Sequence, residues 1–192
     1  MQEAIQMILI IDMSYKPDSL GLFEFVLPLA NICKSQGHEV RIIHRTRISP
    51  EILGSAKAVI LSGVALNDDI FNTSKNNFAW LKFPPCPVFG ICAGHELITM
   101  VHGSTLTDDS EIGMTQVRVL MQDPLFGGRE EFQAYELHNH AVVPPEEFLV
   151  MAESDACPQV IKHKNMPIYG VMFHPEVRNH WLLENFLAMA DQ

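Results

Sequence analysis

The sequence has little positive charge. Thirteen lysine and arginine residues stand against twenty-three aspartate and glutamate residues in 192, which gives a formal net charge of −10 at pH 7. Proteins that hold nucleic acid through its phosphates need basic surface, so we expect no nucleic-acid partner. Long apolar runs are also lacking, because none approaches the ~18 residues of a membrane span. We therefore expect no membrane partner.

Secretion signals and cofactor motifs are missing as well. The segment MQEAIQMILIIDMSYK carries Glu3 and has neither a basic region nor a small-residue cleavage site. The four cysteines show no C-x-x-C spacing, which argues against a disulfide framework and favours reduced, buried thiols. Neither G-x-x-x-x-G-K-[ST] nor G-x-G-x-x-G occurs. We expect a cytoplasmic protein without a cofactor, in which any ATP-consuming step needs a second polypeptide.

What is present is an alternation of apolar runs and helical patterns, which is typical of an α/β sheet. MILIID, EVRIIHR, AKAVILSGV and CPVFGIC predict four strands. LGLFEFVLPLANICKSQGH predicts a helix that ends at Gly37 despite the internal Pro28, and AGHELITMVHG predicts a second from Ala93 to about Val101. The second half contains five strand-like segments, from EIGMTQVRVL to IYGVMFH, and a closing helix in NHWLLENFLAMA. We predict one domain over residues 1–192, with a mostly parallel central sheet flanked by helices and a smaller antiparallel strand set.

The stretch VFGICAGHEL places Cys92 between Gly90 and Gly94 at a strand-to-helix junction. This is the form of a nucleophile elbow. Glycines allow strand and helix to approach closely while the central residue adopts a strained conformation with φ above zero. The helix that begins at Ala93 points its N–H groups at the sulfur, which favours the thiolate. The alternative is a small buried cysteine in a tight turn.

A general base is predicted in YGVMFHPEV, where His174, Pro175 and Glu176 follow a strand from Ile168 to Phe173. Residues two apart on an extended segment point the same way, so Glu176 is expected to accept a hydrogen bond from His174. The other imidazole nitrogen would then face Cys92. His-Pro-Glu alone is more often a turn than a base, but its pairing with a cysteine elbow strengthens the prediction.

These segments together resemble the class I glutamine amidotransferase family. GICAGHEL is similar to the family's G-x-C-x-G-x-Q elbow, and GVMFHPEV to its V-x-F-H-P-E segment. AVILSGV lies where the family has the oxyanion loop L-S-G-G-P, and ELHNHAVV where it has a histidine-containing strand beside the substrate. The run SDACPQVIKHKNMPIYGVMFHPEV is most similar to the glutaminase part of the GMP synthase group. The resemblance implies a flavodoxin-like fold and L-glutamine as the substrate.

By this resemblance, Cys92 attacks the side-chain amide of glutamine. His174 protonates the leaving ammonia and then activates water, while Glu176 holds the imidazole in the useful tautomer. The backbone N–H groups of Val64 and Ala93 would stabilise the oxyanion. The substrate contacts implied in the same way are Gly63, Glu96, His138 and Asn139. Ammonia would pass to a synthetase partner, an ATP-pyrophosphatase, for the synthesis of GMP from XMP.

The sequence departs from the family pattern at several positions. Glu96 stands where glutamine is expected, one helical turn from Cys92, where its charge would raise the pKa of the thiol. Val64 replaces a glycine of the oxyanion loop, and Met172 and Leu137 replace polar residues near the expected pocket. The γ-glutamyl hydrolases share a G-x-C-x-G-x-E elbow, so a stand-alone hydrolase of that kind is one alternative. A binding or regulatory module that has lost turnover is another.

Histidines offer a further possibility. His138 and His140 alternate on a predicted strand, and His95 or His102 could supply a third metal ligand. No fixed spacing to a cysteine or carboxylate accompanies them. We expect ordinary strand-surface histidines, one of which contacts the substrate, and no metal.

Overall fold

The structure is a computed structural model that describes residues 7–68 and 70–192. The first six residues lie outside the described residues. They belong to the segment that is predicted not to be a secretion signal. In chain order, the elements of the described part are β1 (Met7–Asp12), α1 (Leu27–Ser35), β2 (Val40–His44), α2 (Pro50–Gly54), β3 (Ala56–Leu61), β4 (Val88–Ile91), α3 (Ala93–Val101), β5 (Leu106–Thr107), β6 (Glu111–Val119), β7 (Glu131–His138), β8 (Ala141–Val142), β9 (Phe148–Glu153), β10 (Pro158–His163), β11 (Ile168–Val171) and α4 (His180–Ala190).

Within residues 7–68 and 70–192, nine strands form one mixed sheet in the order β2-β1-β3-β4-β11-β10-β9-β6-β7. The strands from β2 to β11 in that order are parallel to one another, and those from β10 to β7 are antiparallel. The α/β architecture predicted from the sequence is confirmed. The antiparallel strands continue the parallel sheet, because β10 pairs directly with β11. The short strands β5 and β8 pair separately.

Helices cover both faces of the parallel strands, which explains why β1, β3, β4 and β11 are mostly apolar. Alternate residues of β1 point to opposite faces. Ile8 and Ile10 belong to a buried cluster that includes residues of α1 and α4. Leu9 and Ile11 belong to a second cluster that includes residues of α3. No helix in the described part of the chain has the length and apolar character needed to cross a membrane.

The first predicted helix contains an irregular turn. Residues Leu22–Val26 form a π-helical turn, in which the N–H of Leu27 donates to the carbonyl of Leu22. Pro28 follows directly, has no N–H to donate, and so removes one bond of an ordinary α-helical ladder. The wide turn places Phe25 on the inner side of the helix, where it is buried. π-Helical turns are frequent at functional sites.

Close contact between α3 and β3 depends on Gly94. A Cβ atom built on Gly94 would lie 2.6 Å from both the Cβ and the carbonyl oxygen of Leu61. The backbone oxygen cannot move aside cheaply, so a side chain at this position would push α3 away from the sheet. Gly54, in contrast, has no heavy atom within 4 Å of a built Cβ.

We therefore expect Gly94→Ala to lower the free energy of unfolding by ~1–3 kcal/mol, the usual cost of overpacking. Urea denaturation followed by circular dichroism measures this. Gly54→Ala is the matched control and should leave stability unchanged or slightly raised. Equal stabilities of the two variants would mean that the approach of α3 to β3 is not tight.

Candidate active site

Cys92 lies at the corner between β4 and α3. Its φ is +47° and its ψ is −106°, so the positive φ predicted for the elbow is present. The N–H of Cys92 donates to the carbonyl of Val171 at 2.8 Å, which joins the corner to the end of β11. Its side chain is buried, and the thiol lies 3.7 Å from the carbonyl oxygen of Leu137. The corner therefore holds the sulfur at the carboxyl edge of the parallel strands.

His174 follows β11, the strand beside β4. Its Nδ1 lies 2.7 Å from Oε1 of Glu176, and both side chains are buried. The contact expected from the sequence is present, but the backbone is not extended. β11 ends at Val171, and the N–H of Val177 donates to the carbonyl of His174 at 3.1 Å in a turn. Pro175 occupies the second position of that turn, which its fixed φ favours.

Packing holds the imidazole from two sides. The ring of Phe25, carried by the π-helical turn, lies 5.3 Å from the His174 ring between centroids. A Cβ atom built on Gly63 would lie 2.6 Å from Cε1 of His174 and 3.6 Å from Cβ of Cys92. Gly63 thus lies against both side chains, where a larger residue could not fit. Nε2 of His174 has no hydrogen-bond partner among the described residues, so it is available to Cys92 or a substrate.

Burial governs the protonation of this pair. Burial raises the pKa of the Cys92 thiol, His174 lowers it, and the charges of Glu96 and Glu176 raise it again, so that it lies above its ordinary value. The thiolate expected from the helix terminus is therefore not favoured in this conformation. Burial opposes protonation of His174, but Glu176 and Cys92 together outweigh this effect and raise the pKa of the imidazole well above its usual value.

A small cleft opens at the sulfur. Most of the site residues predicted from the sequence line it: Cys92, Val64, Ala93, Glu96, His138 and Asn139. Its free volume of about 20 Å³ has room for about one water molecule. Ligand sites usually measure ~300–1,000 Å³. The cleft is therefore closed to an amino-acid substrate in this conformation.

The loop of residues 63–68 closes the cleft. The N–H of Tyr15 donates to Asp68 at 2.6 Å, and the side-chain amide of Asn139 donates to the carbonyl of Leu66 at 3.0 Å. At the start of the loop, the Ser62 hydroxyl donates to the carbonyl of Gly63 at 2.9 Å. A cavity of about 620 Å³ lies beside this loop, and Ala65 and Asp68 line both spaces. Movement of the 63–68 loop would join them.

Leu137 and Met172, which replace polar residues of the family pattern, lie in different parts of the structure. Leu137 lines the cleft, as expected. Met172 is fully buried in an apolar cluster with Ala141, Val142 and Cys157, and it is absent from the lining of the cleft. Met172 therefore packs beside β8 and does not contribute to the lining of the closed cleft.

The four histidines considered as metal ligands are not gathered in one place. His102 packs against Phe148 and His163, and His140 lies 3.6 Å from Asp108. His138 instead lies near two buried acidic residues, Glu111 and Glu136, at 3.5 Å and 3.4 Å. Sequence reasoning missed both. The alternation of Glu136 and His138 on one strand was the available signal for part of this cluster.

Comparisons with known proteins show the family to which the chain is similar. The family model described as glutamine amidotransferase class-I matches residues 24–188. The chain is 34% identical over 178 residues to a subunit of the glutamine-hydrolyzing GMP synthase of Methanocaldococcus jannaschii, covering 87% of this chain and 93% of that one. It is 38% identical over 167 residues to the subunit of the same name from Pyrococcus abyssi, covering 81% and 88%.

Solved structures share the fold. A GMP synthase subunit from Thermoplasma acidophilum superposes with a TM-score of 0.85 at 25% identity, covering 97% of this chain and 94% of that chain. A glutamine amidotransferase from Thermotoga maritima gives a TM-score of 0.71 at 16% identity, over 97% and 83%. The second likeness concerns the fold alone.

The charge of Glu96 provides a test of the site's electrostatics. Because that charge raises the pKa of Cys92, Glu96→Gln should lower it. At a pH below the pKa the thiolate fraction rises, so alkylation of Cys92 by iodoacetamide should be ~3–10-fold faster. Intact mass and peptide mapping across a pH series measure the rate. Glu147→Gln, which removes a charge lining a different cavity, should leave the profile unchanged; an unshifted Glu96→Gln profile would refute the interaction.

Proposed function

The chain belongs to the glutamine amidotransferase class-I family, and we propose that it is the glutaminase subunit of a GMP synthase. In this proposal it hydrolyses L-glutamine to glutamate and ammonia, and a separate synthetase subunit uses the ammonia to convert XMP to GMP. One observation carries the proposal: Cys92 and the His174–Glu176 pair lie at the ends of two adjacent parallel strands. The relatives named as GMP synthase subunits support the choice of acceptor.

In the first step, the neutral form of His174 accepts the proton of the Cys92 thiol at Nε2 as sulfur attacks the amide carbon of glutamine. The thiol must first turn away from the carbonyl of Leu137, which it contacts in the closed cleft. The developing oxyanion would accept hydrogen bonds from the backbone N–H groups of Ala93 and Val64. Ala93 is the first residue of α3, where N–H groups are free of helical partners.

In the second step, the C–N bond breaks. His174 donates the proton on Nε2 to the departing nitrogen, so ammonia leaves and a thioester to Cys92 remains. Water then loses a proton to the same nitrogen and attacks the thioester carbon, which releases glutamate and restores the thiol. Glu176, 2.7 Å from Nδ1, keeps that nitrogen protonated and stabilises the positive charge that His174 carries between the two transfers.

The partner has a second role in the proposal, which is to open the site. The cleft holds about one water, and the 63–68 loop is fixed by hydrogen bonds to Tyr15 and Asn139. Docking of the synthetase against this edge would displace the loop, admit glutamine and aim the N–H of Val64. The isolated chain is then a latent glutaminase, and ammonia is produced only when an acceptor enzyme is present.

Glu96 favours a second candidate function, a γ-glutamyl hydrolase that works without a partner. Its carboxylate borders the cleft one turn from Cys92. The γ-glutamyl hydrolases have glutamate at the same position of their G-x-C-x-G-x-E elbow, and an anionic side chain there can pair with the α-ammonium group of a γ-glutamyl substrate. The two candidates differ in their dependence on the synthetase and in whether substituted γ-amides are accepted.

The test is release of glutamate and ammonia from L-glutamine, with and without the synthetase subunit, XMP and MgATP. We expect low activity alone and a rise of ~10²–10³-fold with the synthetase, the usual value of one aligned oxyanion donor. Cys92→Ala should reduce both rates to background. Glu176→Gln should reduce the stimulated kcat by as much as about 10⁴-fold, because the imidazole tautomer is no longer fixed.

Cys86→Ser is the control, since Cys86 is a half-buried free thiol that precedes β4, at the end opposite to Cys92. It should retain full activity. Full activity on γ-glutamyl peptides without the synthetase would show that the chain is a γ-glutamyl hydrolase and not a glutaminase subunit. Binding of the synthetase without any Cys92-dependent ammonia release would leave only a regulatory module.

A further inference from the structure

Behind the cleft lies a buried cluster that the proposed reaction does not use. It consists of Glu111 on β6, His138 at the end of β7 and Cys157 in the turn between β9 and β10. We call these three residues the Cys157 cluster. Glu136 lies next to it, two residues before His138 on the same strand. Glu111 and His138 are directly opposite each other in the β6–β7 pairing, so the sheet itself sets their distance.

The ligand atoms of the Cys157 cluster have the spacing of a metal site. One atom from each residue lies within 4.8 Å of the others. Nε2 of His138 is 3.5 Å from Oε2 of Glu111, and Sγ of Cys157 is 3.4 Å from the same oxygen. In a tetrahedral zinc site with bonds of about 2.0–2.3 Å, ligand atoms stand roughly 3.3–3.7 Å apart. Both of these separations match that geometry, and the third, between the ligand atoms of His138 and Cys157, is at most 4.8 Å.

Several buried polar atoms of the region lack hydrogen-bond partners among the described residues. Glu111 is largely buried and Glu136 completely so, and the ion pairs of both carboxylates are with His138. Among the described residues, no lysine or arginine forms an ion pair with either one. Neither oxygen of Glu136 and neither nitrogen of His138 has a hydrogen-bond partner in that part of the chain, although both side chains are at most 1% exposed. Buried polar atoms without partners are costly, and a bound divalent ion would satisfy them.

Neighbouring side chains hold the carboxylate in position. The hydroxyl of Ser154 donates to Oε2 of Glu111 at 2.9 Å, and the side-chain amide of Gln159 donates to it at 2.7 Å. Such outer hydrogen bonds orient the ligands of metal sites. The same amide also lies 3.3 Å from Sγ of Cys157. The donor set of thiolate, imidazole and carboxylate suits zinc and excludes magnesium or calcium, which prefer oxygen.

We propose that Glu111, His138 and Cys157 bind one divalent transition-metal ion of the zinc class, with Glu136 or water as the fourth ligand. Binding releases the thiol proton of Cys157 to solvent as the metal–sulfur bond forms. The ion links β6, the end of β7 and the β9–β10 turn. Since His138 also lines the cleft, the ion would fix one wall of the active site without taking part in glutamine hydrolysis.

The test uses Co²⁺ as a spectroscopic probe on reduced, chelator-treated protein. Cys92 and His174 could bind a metal as well, so the parent for the experiment is Cys92→Ala. We expect one Co²⁺ per chain, with a thiolate-to-cobalt absorption band in the near ultraviolet and visible bands typical of tetrahedral cobalt. Added Zn²⁺ should displace it. No thiolate band in this parent would overturn the proposal.

Two further variants in the same background locate the site. Cys157→Ser should abolish the thiolate band, and Cys86→Ser should keep it. Glu111→Gln should keep the band but weaken Co²⁺ binding at least ~10-fold. If circular dichroism shows that Cys157→Ser does not fold, the Glu111→Gln result locates the site. A band that survives Cys157→Ser, or a Co²⁺ affinity unchanged by Glu111→Gln, would contradict the assignment. None of these readouts depends on glutaminase activity.

Discussion

The site depends on the parallel pairing of β4 with β11. The register places Ile91 opposite Val171, and the N–H of Cys92 continues this pairing by donating to the carbonyl of Val171. Two chain segments about eighty positions apart therefore end side by side at one edge of the sheet. A cysteine at a sharp corner on one strand and a histidine after the other then meet without any long loop to position them.

This arrangement requires space and has an electrostatic cost. Gly63 and Gly94 leave room where a Cβ would collide with His174 or with β3. Burial that brings the groups together also raises the pKa of Cys92, and Glu96 adds to that effect. The closed conformation is consequently poorly suited to turnover, since it stabilises the thiol and leaves almost no room for substrate. A partner that moves the 63–68 loop would relieve both restrictions together.

Much of the fold and of the candidate site could be predicted from local sequence. Gly90 and Gly94 flanking Cys92 imply the corner, and strand-helix alternation implies the sheet, because both follow from rules that act over a few residues. Other features could not be predicted. The continuation of the parallel sheet by antiparallel strands depends on the long-range pairing of β10 with β11. His174 and Glu176 meet through a turn rather than an extended strand. The sequence does not distinguish the two, because the fixed φ of Pro175 is compatible with both conformations.

The buried acidic residues were harder still to predict. Glu111 and Cys157 are far apart in sequence and are brought to His138 only by the pairing of β6, β7 and β9. The closed cleft depends on single hydrogen bonds from Tyr15 and Asn139 to the 63–68 loop, and no sequence pattern marks such bonds. Long-range strand order and loop contacts thus set what the local motifs leave open.

In the proposed function, Cys92 is an activated nucleophile in a glutamine site. Covalent labelling by a diazoketone analogue of L-glutamine, followed by intact mass in the presence and absence of the synthetase subunit, tests it most directly. We expect a single adduct on Cys92 that forms much faster when the synthetase is present. No adduct under either condition, while iodoacetamide still alkylates Cys92, would contradict it, because the elbow would then be reactive without a glutamine site.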